Sequence, residues 1–489
     1  MSAGGKKTRK RKPKSRPKAS PPPAPPIVSL VSLGCAKNQV DSERVLGQLA
    51  EAGFLIAEDP ADAELCLVNT CGFVQDARDE SAGVLSELAG LKRQGGLRFL
   101  IALGCLVERA ADAPELAPFL EAADLRLGFQ HYPRLAEICQ RLLAGDANPL
   151  ASPRRKRTTA ASYTQFLASP RLRIGTPHSA FLKISEGCSN PCRFCSIPRM
   201  RGRQVSRPID EVLAEAHALM EGGARELNLI AQDTTSYGRD WDRKLHLHEL
   251  LRQLSSEIKE DVWFRLLYCY PRSLTGATLD VMADDPRFCP YIDIPLQHVN
   301  DKILEAMGRG VNRAQTEKQL ELIARKLPDA ALRTTFIVGY PGETEAQYQE
   351  LLAFVKEGRF THAGVFLYSA EVKTPAAMLT DTVPLAEKKC RRQELMLAQL
   401  DVSRKHLKER LGQETEVLVD GTLPPQSEAP AGACAVGRSQ REAPEVDGVV
   451  FLRGTMPKGL LTGRRMTTKV VESLDYDLVA EPVTGETRG

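Results

Sequence analysis

Between residues 176 and 410 the chain repeats one pattern six times: a short apolar run, then a stretch with helical spacing. The runs are "AFLKIS", "ELNLIA", "VWFRLLY", "YIDIPL", "TTFIVG" and "AGVFLY"; the intervening stretches include "IDEVLAEAHALMEGG" and "EAQYQELLAFVKEG". Short apolar runs alternating with amphipathic helices imply parallel strands with helical crossovers. Six such units predict a β/α barrel, whole or partial, with its reactive groups at the carboxyl ends of the strands.

The rest of the chain divides around this barrel, and its fold class is α/β. Residues 27–145 carry four strand-like runs, "IVSLVSL", "ELCLVN", "RFLIAL" and "DLRLGF", with helical stretches between them. They predict a small parallel sheet. Residues 146–175 read as a polar, basic linker, and residues 176–412 as the barrel. In residues 413–482 the runs "TEVLVDG", "GVVFLRG" and "RRMTTKVVESLDYDLVAE" are separated by Gly/Pro-rich turns. These predict a small antiparallel β-barrel.

The net charge of +4 is set by the amino terminus. Residues 1–20 hold nine Lys or Arg and no acid, which leaves the remainder near −5. With "PPPAPP" behind it, the segment 1–26 is expected to be a disordered basic tail. Two roles fit such a tail, a solubilising arm or an arm that contacts RNA. No run of 18 apolar residues occurs, so no membrane span is expected. "IVSLVSLGC" is too short, and too closely preceded by prolines, for an export signal. Twelve cysteines without such a signal suggest a reducing, cytoplasmic location, where clustered thiols serve metal or redox chemistry.

Three of those thiols sit within eight positions. "AFLKIS" runs into Glu186, Gly187 and the loop "CSNPCRFC", with Cys188, Cys192 and Cys195 at the barrel rim. Thiolates at spacings of four and three residues can wrap one face of an iron–sulfur cluster. Four would close a 4Fe–4S cluster; three leave one iron open to a reactant. A zinc knuckle is the competing reading.

The amino-terminal region repeats the device at longer range. Cys35 follows "IVSLVSLG", Cys71 follows "ELCLVNT" and Cys105 follows "RFLIALG". Parallel strands end on one sheet edge, so these residues can converge, and Gly34, Gly72 and Gly104 beside them permit close approach. The alternative is three buried cysteines sharing a sheet by accident. Cys66, Cys139, Cys269, Cys289, Cys390 and Cys434 show no ligand spacing and read as core or surface thiols.

The cysteine loop, with an aromatic residue before its last cysteine, resembles the radical S-adenosylmethionine (SAM) enzymes. That resemblance implies that SAM chelates the open iron and is cleaved to a 5′-deoxyadenosyl radical. Strand-end polar groups are then candidates to hold SAM: Glu226, Gln232, Asp233 and Thr234, with "GYPGET" (339–344) and His298 as further rim features. Each has a structural alternative, as helix cap, turn or core histidine.

Six cysteines in this arrangement, over residues 27–482, resemble the methylthiotransferases. "VSLGCAKNQVDSERVLGQL", "VNTCGF", "YIDIPLQHVNDKILEAMGRG" and "REAPEVDGVVF" are similar to the branch that modifies a small-subunit ribosomal protein, the twelfth in its numbering. That branch usually has proline where Ala36 stands. The resemblance implies two 4Fe–4S clusters, on Cys188, Cys192 and Cys195 and on Cys35, Cys71 and Cys105, the second carrying sulfur. It implies SAM as radical source and methyl donor, an aspartate β-carbon as target, an electron donor, a sulfur source and a terminal TRAM domain. A second branch modifies an adenosine of tRNA, and a non-catalytic iron–sulfur electron carrier is an alternative of another class. Residues 413–480 hold seven Lys or Arg against ten Asp or Glu, a poor clamp for phosphates and a better match to a basic protein.

Overall fold

The computed structural model describes residues 24–150, 166–241, 246–424, 426–454, 456 and 462–488. Residues 1–23 of the expected basic tail and 151–165 of the expected linker lie outside the described residues.

The amino-terminal region is a five-stranded parallel sheet of order β2-β1-β3-β4-β5. Its elements are β1 (Ile27–Ser32), α1 (Ala36–Glu51), β2 (Leu55–Ile56), β3 (Leu65–Thr70), α2 (Gln75–Arg93), β4 (Phe99–Gly104), α3 (Cys105–Asp112), β5 (Leu125–Leu127) and α4 (Leu135–Leu143). Helices cover both faces, so the central strand β3 is buried at every residue. The two-residue strand β2 is absent from the sequence reading, because so short a segment has no periodicity of its own. Helix α1 buries Lys37, Asn38, Asp41, Ser42, Glu43 and Arg44 as well as its apolar residues. One face meets its own sheet and the other meets the barrel, so its charges must find partners there.

The central region holds β6 (Ser179–Lys183), β7 (Ser185–Glu186), α5 (Ile197–Met200), β8 (Val205–Ser206), α6 (Ile209–Glu221), β9 (Glu226–Ile230), α7 (Leu247–Glu257), β10 (Trp263–Leu266), α8 (Gly276–Asp284), β11 (Tyr291–Asp293), α9 (Asp301–Ala306), α10 (Arg313–Lys326), β12 (Ala331–Val338), α11 (Glu345–Lys356), β13 (His362–Leu367) and α12 (Leu385–Lys408). All six strands read from the sequence pair in parallel, as β6-β9-β10 and β11-β12-β13. A parallel bridge between Phe264 and Phe288 joins the two halves. Among the described residues β6 and β13 do not pair, so the barrel is partial. Its lumen is filled by Phe181, Ile230, Trp263, Tyr291 and Ala331, packed with Ala36 and Val40 of α1.

The carboxyl-terminal region closes a five-stranded barrel from β14 (Glu414–Thr422), β15 (Ala433–Arg438), β16 (Val450–Arg453), β17 (Arg465–Ser473) and β18 (Leu478–Arg488). Four pairs are antiparallel, while β16 and β18 run parallel. An odd number of strands closed into a ring cannot alternate throughout, so the expected antiparallel barrel carries this one parallel pair. This barrel sits under the amino ends of the central strands. Leu418 and Ala443 join the lumen core, and Tyr291 Oη donates to Asp447 at 2.6 Å. No helix among the described residues is long and apolar enough to cross a membrane.

Candidate active site: two cysteine triads

The loop after β7 leaves the strand through Gly187 at φ +77°, where a Cβ would lie 2.3 Å from the Arg203 carbonyl oxygen. Only glycine lets the chain cross so close to its own return path. Cys188 N–H then donates to Gly202 O at 3.1 Å and Cys195 N–H to Cys192 O at 3.3 Å, folding the loop so that its thiols turn to one side. Each sulfur faces a donor. Asn190 Nδ2 is 3.5 Å from Cys188 Sγ, Arg309 Nη1 is 3.3 Å from Cys192 Sγ, and Ile197 N–H is 3.5 Å from Cys195 Sγ. Burial pushes the Cys188 thiol up to about 11, so a bound cation is needed to keep it as a thiolate.

The three thiols line a cavity of about 130 Å³ together with Gln232, Tyr270, Gln297 and Phe73. Phe73 comes from the other domain, two residues beyond Cys71. The cavity therefore borders the amino-terminal domain close in sequence to Cys71.

The second set is built by strand register. β1, β3 and β4 are neighbours, with Ser32 opposite Asn69 and Thr70 opposite Gly104, so their carboxyl ends are level. Cys35 stands immediately before α1, Cys71 follows β3, and Cys105 opens α3. Gly34 has φ +90°, and a Cβ there would stand 2.8 Å from Cys71 Cβ and 2.9 Å from its Sγ. Cys71 and Cys105 are buried and Cys35 is exposed. Burial drives Cys105 up to about 12 despite the nearby Arg201 guanidinium, while Cys35 and Cys71 act on it electrostatically.

Three neighbouring thiols are the donor set that an iron–sulfur cluster takes. Among the described residues no three His, Cys, Asp or Glu side chains are grouped to hold one metal ion. Yet the thiols within each triad are near enough to act on one another. The remaining corner of such a cluster would have polar neighbours. Gln232 lines the cavity, and its Oε1 is buried with no hydrogen-bond partner.

A buried ionic network joins the triads. Lys183 Nζ pairs with Asp41 at 2.7 Å and also with Glu186. Arg201 Nη1 pairs with Asp41 at 2.6 Å and lies 3.4 Å from Glu186. Burial works against the charged form of Asp41, but Lys183 and Arg201 hold its carboxyl below the ordinary range. Gln232 Nε2 donates to Glu186 Oε1 at 2.6 Å, which ties the network to the cavity.

Of the sequence candidates, the six cysteines, Gln232 and Asp233 are at this rim. Asp233 caps its own turn, accepting from Thr235 N–H at 3.0 Å and Ser236 Oγ at 2.5 Å, and also accepts from Asn190 Nδ2 at 2.7 Å. Thr234 Oγ1 donates to Leu267 O at 2.8 Å. Glu226 does not join them. It begins β9, at the opposite end of the barrel, fully buried between Arg265 at 2.9 Å and Arg438 at 2.8 Å. A residue preceding a parallel strand faces the amino-terminal end, so its carboxylate anchors the terminal barrel. His298 and "GYPGET" likewise form their own structure: His298 Nε2 meets Glu343 at 3.0 Å, and Thr344 caps α11. Sequence reasoning missed Lys183, Arg201, Arg309, Tyr268 and Tyr270. Tyr268, at φ +62°, and Gln297, at φ +75°, hold strained conformations at strand ends on the cavity wall, a feature invisible in sequence. The one available signal was a lysine inside the apolar run "AFLKIS".

Residues 28–128 match a family described as Uncharacterized protein family UPF0004, residues 182–355 the Radical SAM superfamily and residues 411–483 the TRAM domain. A ribosomal protein uS12 methylthiotransferase RimO from Anaeromyxobacter sp. (strain K) is 43% identical over 93% of this chain and 93% of its own. RimO of Geobacter sulfurreducens is 41% identical over 94% and 98%, and RimO of Myxococcus xanthus 40% over 93% and 91%. Among solved structures, the radical S-adenosylmethionine methyltransferase TsrM from Kitasatospora setae, with cobalamin and a 4Fe–4S cluster bound, superposes with a TM-score of 0.51. It is 15% identical, over 72% of this chain and 74% of that one, and shares the fold alone. With relatives 40–43% identical aligned almost end to end, the chain belongs to the RimO family of ribosomal protein uS12 methylthiotransferases.

Proposed function

We propose that this protein, acting in the cytoplasm, transfers a methylthio group to the β-carbon of an aspartate in ribosomal protein uS12. The observation that carries the reading is that the amino-terminal domain reaches the cavity of the barrel triad: Phe73, two residues beyond Cys71, lines the same space as Cys188, Cys192 and Cys195. Methylthiolation needs a hydrogen removed and a sulfur delivered at one carbon, so two reactive centres must reach a single site. An unactivated C–H bond is beyond ordinary acid–base groups, and a 4Fe–4S cluster with SAM supplies the radical that removes its hydrogen.

Cys188, Cys192 and Cys195 hold the first cluster, and Cys35, Cys71 and Cys105 a second one that presents sulfur. Gln232 offers its unpartnered Oε1 to SAM, while Glu186 fixes the amide through its other end. Asp233 acts by holding the turn that carries Asn190 against Cys188. The Asp41–Lys183–Glu186–Arg201 network keeps the two domains in one relation while the cavity stays open to substrate. The reaction also requires an electron donor and a sulfur source.

Charge in the terminal barrel favours a protein substrate over tRNA. Arg438 is spent on Glu226 and Asp420, Arg453 on Glu472 and Glu481, and Arg465 on Asp261 and Glu416. Arginines neutralised internally release no counterions from a phosphate backbone. Anaerobically reconstituted enzyme with SAM, reductant and sulfide is the test, given uS12 and unmodified tRNA in separate reactions. A methylthio group on a uS12 aspartate is expected. Product on tRNA alone would overturn the substrate, and no 5′-deoxyadenosine with either would leave only an electron carrier.

A further inference from the structure

Arg201 reaches from one triad to the other. It follows Cys195 by six positions, at the end of α5, and its side chain is only 3% exposed. Its Nε and Nη2 stand 3.3 and 3.2 Å from Cys105 Sγ in the other domain. Nη2 also donates to Asn38 Oδ1 at 2.5 Å, Nη1 to Asp41 Oδ2 at 2.6 Å, and the guanidinium lies 4.4 Å over the Phe129 ring.

Charge balance explains part of this placement, since Lys183 is a single cation against the two carboxylates Asp41 and Glu186, but it does not call for a contact with sulfur. What the guanidinium adds is a planar fork with two N–H groups on one sulfur, which the single point charge of a lysine cannot reproduce. Hydrogen bonds to cluster sulfurs and nearby positive charge both favour the more reduced, more negative cluster. The barrel triad has its own side-chain donors in Arg309 and Asn190, so the effect of Arg201 falls on one side.

We propose that Arg201 is a positioning residue that raises the reduction potential of the cluster on Cys35, Cys71 and Cys105 through the Cys105 sulfur. It thereby ties the sulfur-carrying centre to the loop of the radical-generating one. The proposal rests on the reading that this triad holds a cluster.

The test uses the full chain in two backgrounds, each leaving one cluster: Cys188→Ala/Cys192→Ala/Cys195→Ala, and Cys35→Ala/Cys71→Ala/Cys105→Ala. Each is reconstituted with and without Arg201→Gln and titrated by spectroelectrochemistry. In the first background Arg201→Gln should lower the ratio of reduced to oxidised cluster at fixed potential roughly tenfold, about 59 mV for a one-electron couple. In the second the midpoint should stay in place. Arg201→Lys should fall between wild type and Arg201→Gln in the first background, and it carries the test if Arg201→Gln does not fold. An unmoved midpoint, or an equal shift in both backgrounds, overturns the role of Arg201. Failure of the first background to take up any cluster instead overturns the two-cluster reading itself.

Discussion

Asp41 on α1 and Lys183 on β6 are both fully buried and meet at 2.7 Å, a salt bridge between the two domains that carry the cysteines. Burying such a pair gives little net stability against an apolar packing, but removing one partner strands the other. Lys183→Met leaves Asp41 and Glu186 to share Arg201. It should cost about 3–5 kcal/mol in denaturant unfolding. Asp41→Leu combined with Lys183→Met should cost clearly less than the sum of the single changes, the mark of coupled sites.

The terminal barrel is fastened by Glu226. Burial alone would raise this carboxyl, but Arg438 and Arg265 override it and hold it at about 2. A carboxyl depressed on folding stabilises above its unfolded value, near 4.5, and loses that contribution as pH falls toward 2. Glu226→Gln should therefore lower stability by about 3 kcal/mol at pH 7, a figure from the shift alone. The gap between variant and wild type should narrow steadily between pH 4.5 and 2 in unfolding measured across that range.

Gly34→Ala tests how tightly the amino-terminal triad is packed. The substitution puts a Cβ at φ +90° and 2.9 Å from Cys71 Sγ. The backbone penalty alone exceeds about 1 kcal/mol, and the clash displaces Cys71. Iron analysis after reconstitution should show about half the wild-type content, while reductive cleavage of SAM persists.

Cys192→Ala and Cys71→Ala should separate the two chemistries. Cys192→Ala should abolish 5′-deoxyadenosine, measured by chromatography. Cys71→Ala should still form it but yield no methylthio product on uS12.

How far the sequence could be read follows from what each residue needed as context. The convergence of Cys35, Cys71 and Cys105 was legible because each follows an apolar run, and parallel strands stop on one edge. The six central strands were legible because their apolar runs are almost unbroken, and β6, β9, β10 and β11 are buried at nearly every residue. Glu226 misled, since a polar residue beside a strand looks alike from either end and only direction tells rim from base. Arg201 was illegible as a site residue, since a basic side chain reads as solvated until α1 is seen pressed against β6, and Lys183 was marked only by its place inside an apolar run. Strand β15 was missed because "ACAVGR" emerges from a Gly/Pro-rich stretch with little periodicity.

The central claim is that six cysteines hold two clusters, three ligands each. Mössbauer spectroscopy of anaerobically reconstituted enzyme, beside the two triple-alanine variants, tests it most directly. The account predicts two 4Fe–4S clusters in the wild type, one in each variant, and a distinct iron site in each cluster perturbed by an added small ligand. A single cluster in the wild type, or clusters in which no iron responds to such a ligand, would contradict it.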